Sequence, residues 1–577
     1  MAGLLPFCAM ARGLSAQSEV CPTGRIASIR IDRGPVFDED VENGMLSKVY
    51  SAANWLHVET RRSVVERELL FEKGDCLERL RLSESERFLR DLPFIESARI
   101  EAHRRRNGDY DVEVKTRDDW SLRLEPRFEV GGGFALTGIT LAERNLWGRG
   151  RNLELLYLDR KGRDDVGVTY FDPQFLSSRW NLSVQGIRTA PGWTTSFSLA
   201  YPFLGLVGRW AGFTDLLYGD RWFRFSVGDP NDPAELVLPL REKEAQVGTA
   251  VRLLGPPRGR STKAGTYGAS LSYVFRDYGL GFYSDTAAAA ALGLSDSLAA
   301  ELGTLVDRRE TLRLNLIVGV RGLEYHERVG LTSLRSVEDI AIGATANLLF
   351  GVALDSFGFE DGHLLMALDL FGGARVIGGW FSQIRAVGEA RRDYSARSWR
   401  DMLLAVEWTN FWQNNRRNVV ELSTSYSAGW EMTVPFQLTL GGPWGLSAFS
   451  PNRFPGGARF RARIEDRYWA ASVGRLADLG TVAFAELGRI WANDALSGID
   501  SGLRASAGLG IRFATPAGSR ASYRLQAAMP IEAGVRWDDM IVSFRIDTAV
   551  RLEERPVDVQ LGRSRDLAFR AAAPHVR

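Results

Sequence analysis

The stretch LRLNLIVGVRG, residues 312–322, alternates residue by residue. Leu312, Leu314, Leu316, Val318 and Val320 share one face, and Arg313, Asn315, Gly319 and Arg321 share the other. Successive side chains of an extended strand point to opposite faces, so this is a strand with one apolar and one polar surface. The arrangement returns in RASAGLGIRF (504–513), where Ala505, Ala507, Leu509, Ile511 and Phe513 oppose Arg504, Ser506, Gly508, Gly510 and Arg512. It returns again in MIVSFRIDTAV (540–550), with Val542, Phe544, Ile546 and Val550 against Ser543, Arg545 and Asp547. A soluble β-protein and a membrane barrel share this alternation, so period alone cannot separate them. Number and length decide. Segments of roughly 10 residues, the span of a transmembrane strand, recur through residues 117–550, and helix signals nearly vanish there apart from an Ala-rich patch at Thr286–Leu305. Arg, Asp, Gln and Gly on the inner face fit a water-filled lumen. The expectation is a mainly β chain that forms a transmembrane antiparallel β-barrel.

Composition agrees. The 577 residues carry 72 Lys and Arg against 71 Asp and Glu, a net charge of +1, and no basic run, so there is no footprint for nucleic acid. No run of 18 or more apolar residues exists to form a spanning helix, and a closed barrel is the other structure that satisfies its backbone in lipid. Residues 1–20 read as a weak or truncated secretory signal: Leu14-Ser15-Ala16 is a small-residue site, but Lys and Arg are missing before the apolar run and Arg12 interrupts it. Cysteine is limited to Cys8, Cys21 and Cys76, and the five His are scattered, so neither a metal site nor a cofactor is expected.

Residues 24–116 differ from the rest. RIASIRI (25–31) reads as a strand, Thr60 as the N-cap of a helix through RRSVVERELL, and Val64, Val65 and Leu69 as its buried face. A second helix is expected from Ser83, with Glu86 completing a capping box and Phe88 and Leu89 inward, stopping at Pro93. Two strands follow, joined at Asn107-Gly108, a hairpin turn. The order is β-α-α-β-β.

This order, with LPFIESARI (92–100), resembles a POTRA domain. The chain beyond it resembles the BamA/TamA-type outer-membrane assembly superfamily. ERNLWGRG (143–150) and YFDPQF (170–175) stand where that family has its NLxGxG and DP turns, and LAYPFLG (199–205) continues the match. GGARFRARIEDRYW (456–469), TVAFAELGRIW (481–491), ASAGLGIRFATPAG (505–518), SRASYRLQAAMPI (519–531) and DDMIVSFRIDTAV (538–550) are similar to its last five strands. Between about 241 and 431 the resemblance is topological only. It implies roughly sixteen strands, within the range of such barrels, whereas direct counting of alternating segments comes nearer twenty. The family number is the expectation here, with surplus segments folding back in loops. The number should be even, because the first domain and the chain end share one side. A C-terminal extension, 551–577, follows.

The resemblance also points to a lid loop folded into the lumen, whose tip Arg pairs with carboxylates of the next two strands. LGGPWGLSAFSPNRFPGG (440–457) supplies the frame, but its tip is Leu446-Ser447-Ala448-Phe449, with Ser447 in the Arg position. Glu465 matches one carboxylate; Glu486, framed by Phe484 and Gly488, matches the other. Two acids without their cation call for a substitute. Arg453 is the first candidate, with Arg512 or Arg524 next; otherwise a wet lumen solvates both acids, and Trp444 and Phe449 hold the loop by packing. A disulfide between Cys21 and Cys76 is expected, because the first helix must run back antiparallel to the first strand and bring Cys76 near that strand's start.

The function implied is handling of polypeptide or lipid clients at the outer membrane of a diderm bacterium. The periplasmic POTRA domain would receive clients by β-augmentation, with a weak seam between first and last strands. Partners would be outer-membrane lipids, polypeptide clients, and periplasmic chaperones or accessory subunits. The alternative is a secretion pore of the two-partner type, whose members generally carry two POTRA domains. An enzyme is disfavoured: His326 and His363 lack catalytic partners in sequence, and Asp118 and Asp119 beside Trp120 read as a junction.

Overall fold

The computed structural model describes residues 21–565 except 38–53, 56, 131–133, 160–163, 190, 230–231, 258–260, 279–307, 355–361, 443 and 549–556. The expected signal and the Ala-rich patch lie outside the described residues.

The first domain has the order β1 (Ile26–Gly34), α1 (Arg62–Glu68), α2 (Arg79–Asp91), β2 (Ile95–Arg104) and β3 (Tyr110–Asp118). Its sheet runs β1-β3-β2, with β3 parallel to β1 and antiparallel to β2. Alternate residues Val112 and Val114 of β3 meet Val64 and Val65 of α1 and Leu89 of α2 in one buried cluster. Both helix starts differ from expectation. α1 begins after Arg61, and Thr60 does not cap it. Instead the Thr60 N–H donates to Asp118 (2.8 Å), and its hydroxyl accepts from Asn145 (2.9 Å), so tertiary partners outcompete the cap. α2 begins a turn before Ser83, which donates to the Leu80 carbonyl (3.0 Å), while Glu86 accepts from Arg90 and from the Ile100 N–H (2.7 Å). Cys21 and Cys76 are joined, their Cα atoms 5.4 Å apart and 55 residues apart in sequence. Closing a loop of that order stabilises a small domain by about 2–4 kcal/mol.

The barrel follows. Its strands are β4 (Leu122–Val130), β5 (Phe134–Leu146), β6 (Arg151–Leu158), β7 (Asp165–Phe175), β8 (Trp180–Thr189), β9 (Gly192–Tyr201) and β10 (Trp210–Asp229). Next come β11 (Asp232–Leu254), β12 (Thr262–Asp277), β13 (Arg309–Val329), β14 (Val337–Ala353), β15 (His363–Arg375), β16 (Trp380–Asp393), β17 (Trp399–Trp412) and β18 (Asn418–Trp430). A two-residue ladder, β19 (Leu438–Thr439) with β20 (Pro455–Gly456), stands outside the wall. The wall is completed by β21 (Ala458–Val473), β22 (Ala477–Trp491), β23 (Arg504–Ala514), β24 (Ala521–Pro530) and β25 (Ile541–Thr548).

Among the described residues twenty strands make the ring, which corrects the expected sixteen. The alternating segments of residues 232–430 do not fold back. Each of β11 to β18 pairs with its neighbour in the wall, so the direct count of alternating segments was the better guide.

Burial settles which face is inside. Leu314, Val320 and Leu509 are 54%, 61% and 69% exposed, while Arg313, Asn315 and Arg512 are 2%, 0% and 2% exposed. A soluble barrel would bury the leucines. An apolar exterior over a charged interior is the arrangement of a barrel in a bilayer. Aromatic clusters add to this at the end nearest the first domain. Trp180, Tyr201 and Trp210 have ring centroids 4.8–5.9 Å apart, and Trp380 stacks on Trp412 at 5.7 Å, as expected of an interfacial belt.

The first domain lies across that end of the barrel. The Arg61 N–H donates to the Gly148 carbonyl (2.8 Å), Gln174 donates to the Val64 carbonyl (3.0 Å), and Glu84 accepts from the Leu206 N–H (2.6 Å). Arg90 pairs with Asp339 (2.7 Å) and Glu96 with Arg475 (2.7 Å). These contacts reach turns on several sides of the ring. They also explain the turn glycines. A Cβ on Gly148, at φ +69°, would lie 2.2 Å from the Glu59 carbonyl oxygen, and one on Gly150 would lie 2.9 Å from the Phe94 ring.

Candidate functional site

Period-two alternation concentrates charge on the inner face of β21: in RFRARIEDR (459–467) every second residue is Arg459, Arg461, Arg463, Glu465 or Arg467. The loop from β18 to β21 enters the lumen against this face. Leu438, Leu440, Leu446, Phe449 and Phe454 are buried, and Trp444 is 46% exposed, so Phe449 anchors the loop and Trp444 does not. The path is tight. The Leu446 N–H donates to the Leu440 carbonyl (2.6 Å), and a Cβ on Gly488 of the wall would come within 2.8 Å of Leu440.

At the tip, Ser447 docks directly on the acid that the missing Arg would have met. Its N–H donates to Glu486 Oε2 (2.7 Å) and its hydroxyl to Oε1 (3.1 Å), and Ser506 adds a third donor (2.9 Å). The cation comes from the wall. Arg463 bonds both acids, reaching Glu465 at 2.6 Å and Glu486 from the same guanidinium, and lies 4.0 Å over the Phe484 ring. Glu465 is further paired with Arg467 (2.6 Å) and Arg524.

Arg453 is therefore not the compensating cation. Its guanidinium lies 5.2 and 5.0 Å from the rings of Phe449 and Phe454, while both acids are bonded to other groups. Of the alternatives, Arg524 does serve, while Arg512 donates to the Thr332 carbonyl (2.5 Å) and to Ser522 (3.0 Å). Sequence reading overlooked Arg463 and Arg467, although their spacing from Glu465 was the available signal: residues two apart on a strand share a face.

The network extends to the last strand. Arg524 on β24 also meets Asp547 of β25 (3.4 Å), and Arg545 meets the same carboxylate (3.3 Å). A chain of paired charges thus runs from β25 through Arg524, Glu465, Arg463 and Glu486 to the lid tip.

β25 closes the ring against β4, with 8 and 9 described residues, as few as the 8 of β6 and far fewer than the 20 and 23 of β10 and β11. Contact across this closure is the sparsest of any neighbouring pair among the described residues. Every residue of β25 is half-buried, without the alternation seen in the wall. Beside it lies a cavity of about 580 Å³, walled by Ser447, Phe449 and Arg453 of the lid and by Ile541, Ser543 and Arg545 of β25.

The other singled-out residues lie elsewhere. Asp118 holds His57 (2.9 Å), and Asp119 holds Arg123 (3.1 Å) and Ser519 (2.8 Å), so the two acids are separately engaged where the domain meets the barrel. His326 bonds Glu324 (2.9 Å), and His363 lies 3.3 Å from Arg313. Glu101, His103 and Glu113 converge on the exposed sheet of the first domain, where Lys115 reaches Glu113 at 3.0 Å.

No family model and no curated protein matches the chain. Among solved structures it is similar to BamA from Haemophilus ducreyi lacking POTRA domains 1-3, at 13% identity over 90% of this chain and 84% of that chain, with TM-score 0.37. It is also similar to CdiB from Escherichia coli, at 14% identity over 91% and 76%, with TM-score 0.40. CdiB from Acinetobacter baumannii follows at 10% identity over 91% and 74%, with TM-score 0.34. At these identities the likeness concerns fold type, and nothing about clients follows from it.

Proposed function

We propose that this chain is an outer-membrane barrel that admits or assembles polypeptide clients at the seam between β25 and β4, without chemistry on the client. The observation that carries this reading is the closure itself: short, sparsely packed, half-exposed, and flanked by a cavity roofed by the lid tip. Unpaired edge backbone beside such a closure is a template for another extended chain. The first domain is read as a POTRA domain on the periplasmic side. Among the described residues β2 pairs on one side only, and β1 does so beyond Ile26, where Gly74 and Asp75 bond its other edge, leaving edges for β-augmentation. A passive pore fits less well, because the first domain lies across one mouth and the lid loop fills part of the lumen. The reading is tested by depleting the protein and measuring the outer-membrane proteome. Loss of many barrel proteins is expected; loss of a single secreted protein would point to a dedicated secretion pore instead.

A further inference from the structure

After β25 the chain continues, and residues 557–565 return to the lumen at the end away from the first domain. Leu561 is fully buried in an apolar cluster that includes Leu236, Leu238 and Leu240 of β11 and Leu438, Leu440 and Leu446 of the lid loop. The polar bonds are aimed at the same loop. Asp558 pairs with Arg459 at 2.6 Å, both side chains about 95% buried or more, and it is the acid paired with Arg459 among the described residues. Gln560 accepts from Arg459 (2.6 Å) and from the Thr439 N–H (3.1 Å), and donates to the Thr439 hydroxyl (2.8 Å). Ser564 donates to the Pro435 carbonyl (2.7 Å). From the opposite wall, Arg276 donates to the Arg565 carbonyl (2.5 Å).

From these contacts we infer that residues 557–565 are an internal latch, which holds the lid loop in the lumen and keeps the barrel shut. Three features carry the inference. The segment contributes no strand to the wall, so the ring does not need it. Its Gln560 and Ser564 side chains bond the lid, and its Asp558 pairs with Arg459, a wall arginine that also donates to the lid at the Thr439 carbonyl (2.5 Å), while Arg565 reaches Glu389 of the wall (3.8 Å). And it hangs from the closing strand, separated from β25 by the eight residues 549–556. A buried guanidinium that loses its only carboxylate draws in water, so withdrawing the latch would wet the core that Leu561 seals. The contacts stand apart from the client-handling reading.

The test is conductance of the purified full-length protein in planar bilayers, beside trypsin cleavage at Arg453 in the lid. Deleting residues 557–577 is expected to raise conductance several-fold and to expose Arg453 to trypsin. Heat-modifiable migration checks that the shortened chain still forms a barrel. If it does not, Leu561→Asp in the full chain replaces it, with the same expectation. Arg459→Asp should also open the lumen, and adding Asp558→Arg should restore the closed state by reversing the pair. Wild-type conductance together with a trypsin-resistant lid in the folded deletion or in Leu561→Asp would overturn the latch, as would an Arg459→Asp phenotype that Asp558→Arg leaves unrelieved. No client enters the measurement, so its result is independent of whether the seam handles clients.

Discussion

At the scale of single residues, the lid is held by a division of labour between loop and wall. Ser447 brings a backbone N–H and a hydroxyl to Glu486, which are short and uncharged; Arg463 brings the charge from β21. Removing one partner of a buried pair strands the other charges, a cost of about 3–5 kcal/mol, whereas a hydroxyl bond is worth about 0.5–1.5 kcal/mol. Arg463→Ala should therefore loosen the lid markedly and Ser447→Ala mildly. The order is read from the rate of trypsin cleavage within 440–457 and from the temperature at which heat-modifiable migration is lost. A Ser447→Ala effect as large as that of Arg463→Ala would contradict it. The two acids were legible in the sequence from their framing residues. The cation was sought along the loop because the resemblance places it there, whereas strand geometry had already set Arg463 and Arg467 beside Glu465. Ser447 as a docking group was not legible, since its partner lies 39 residues on and across the lumen.

At the scale of elements, the first domain is fixed to the barrel by side chains that titrate. Glu96 on β2 is buried against the turn between β21 and β22, and burial pushes its carboxyl up to about 7. Arg475 and Arg117 pull it back, and Asp119 adds to the rise. Asp119 is itself raised by burial, against the pull of Arg123 and the Ser519 hydrogen bond. A raised folded-state value means the protonated form is favoured on folding and docking. The contribution of Glu96 is complete below about 4.5, its ordinary value, and is lost as pH rises through about 7. Docking of the first domain should weaken between pH 5 and 8, and Glu96→Gln should flatten that dependence. Crosslinking yield between a cysteine in α2 and one in the turn between β13 and β14, measured against pH, reports it; an unchanged slope in Glu96→Gln would refute it. The elements were legible where alternation or the hairpin pair Asn107-Gly108 set them locally. They were misread where tertiary contacts intervened: the Thr60 hydroxyl accepts from Asn145 of the barrel, and α2 starts a turn early.

At the scale of the whole molecule, inside-out alternation makes the barrel, and the sparse contact between β25 and β4 among the described residues marks the seam we propose. The barrel was legible because period two is a local property repeated in every strand. The strand number was legible too, had the segments been counted without deference to a family norm. The placement of the first domain across one mouth and the return of residues 557–565 were not legible, since both rest on contacts between residues 85 or more apart in sequence. The central claim is that β25 and β4 must part for the protein to work. Paired cysteines at Leu124 and Phe544, oxidised in the outer membrane, should lock the seam, halt client handling in cells that depend on this variant, and release it on reduction. Undiminished client handling with the seam fully crosslinked would contradict the account.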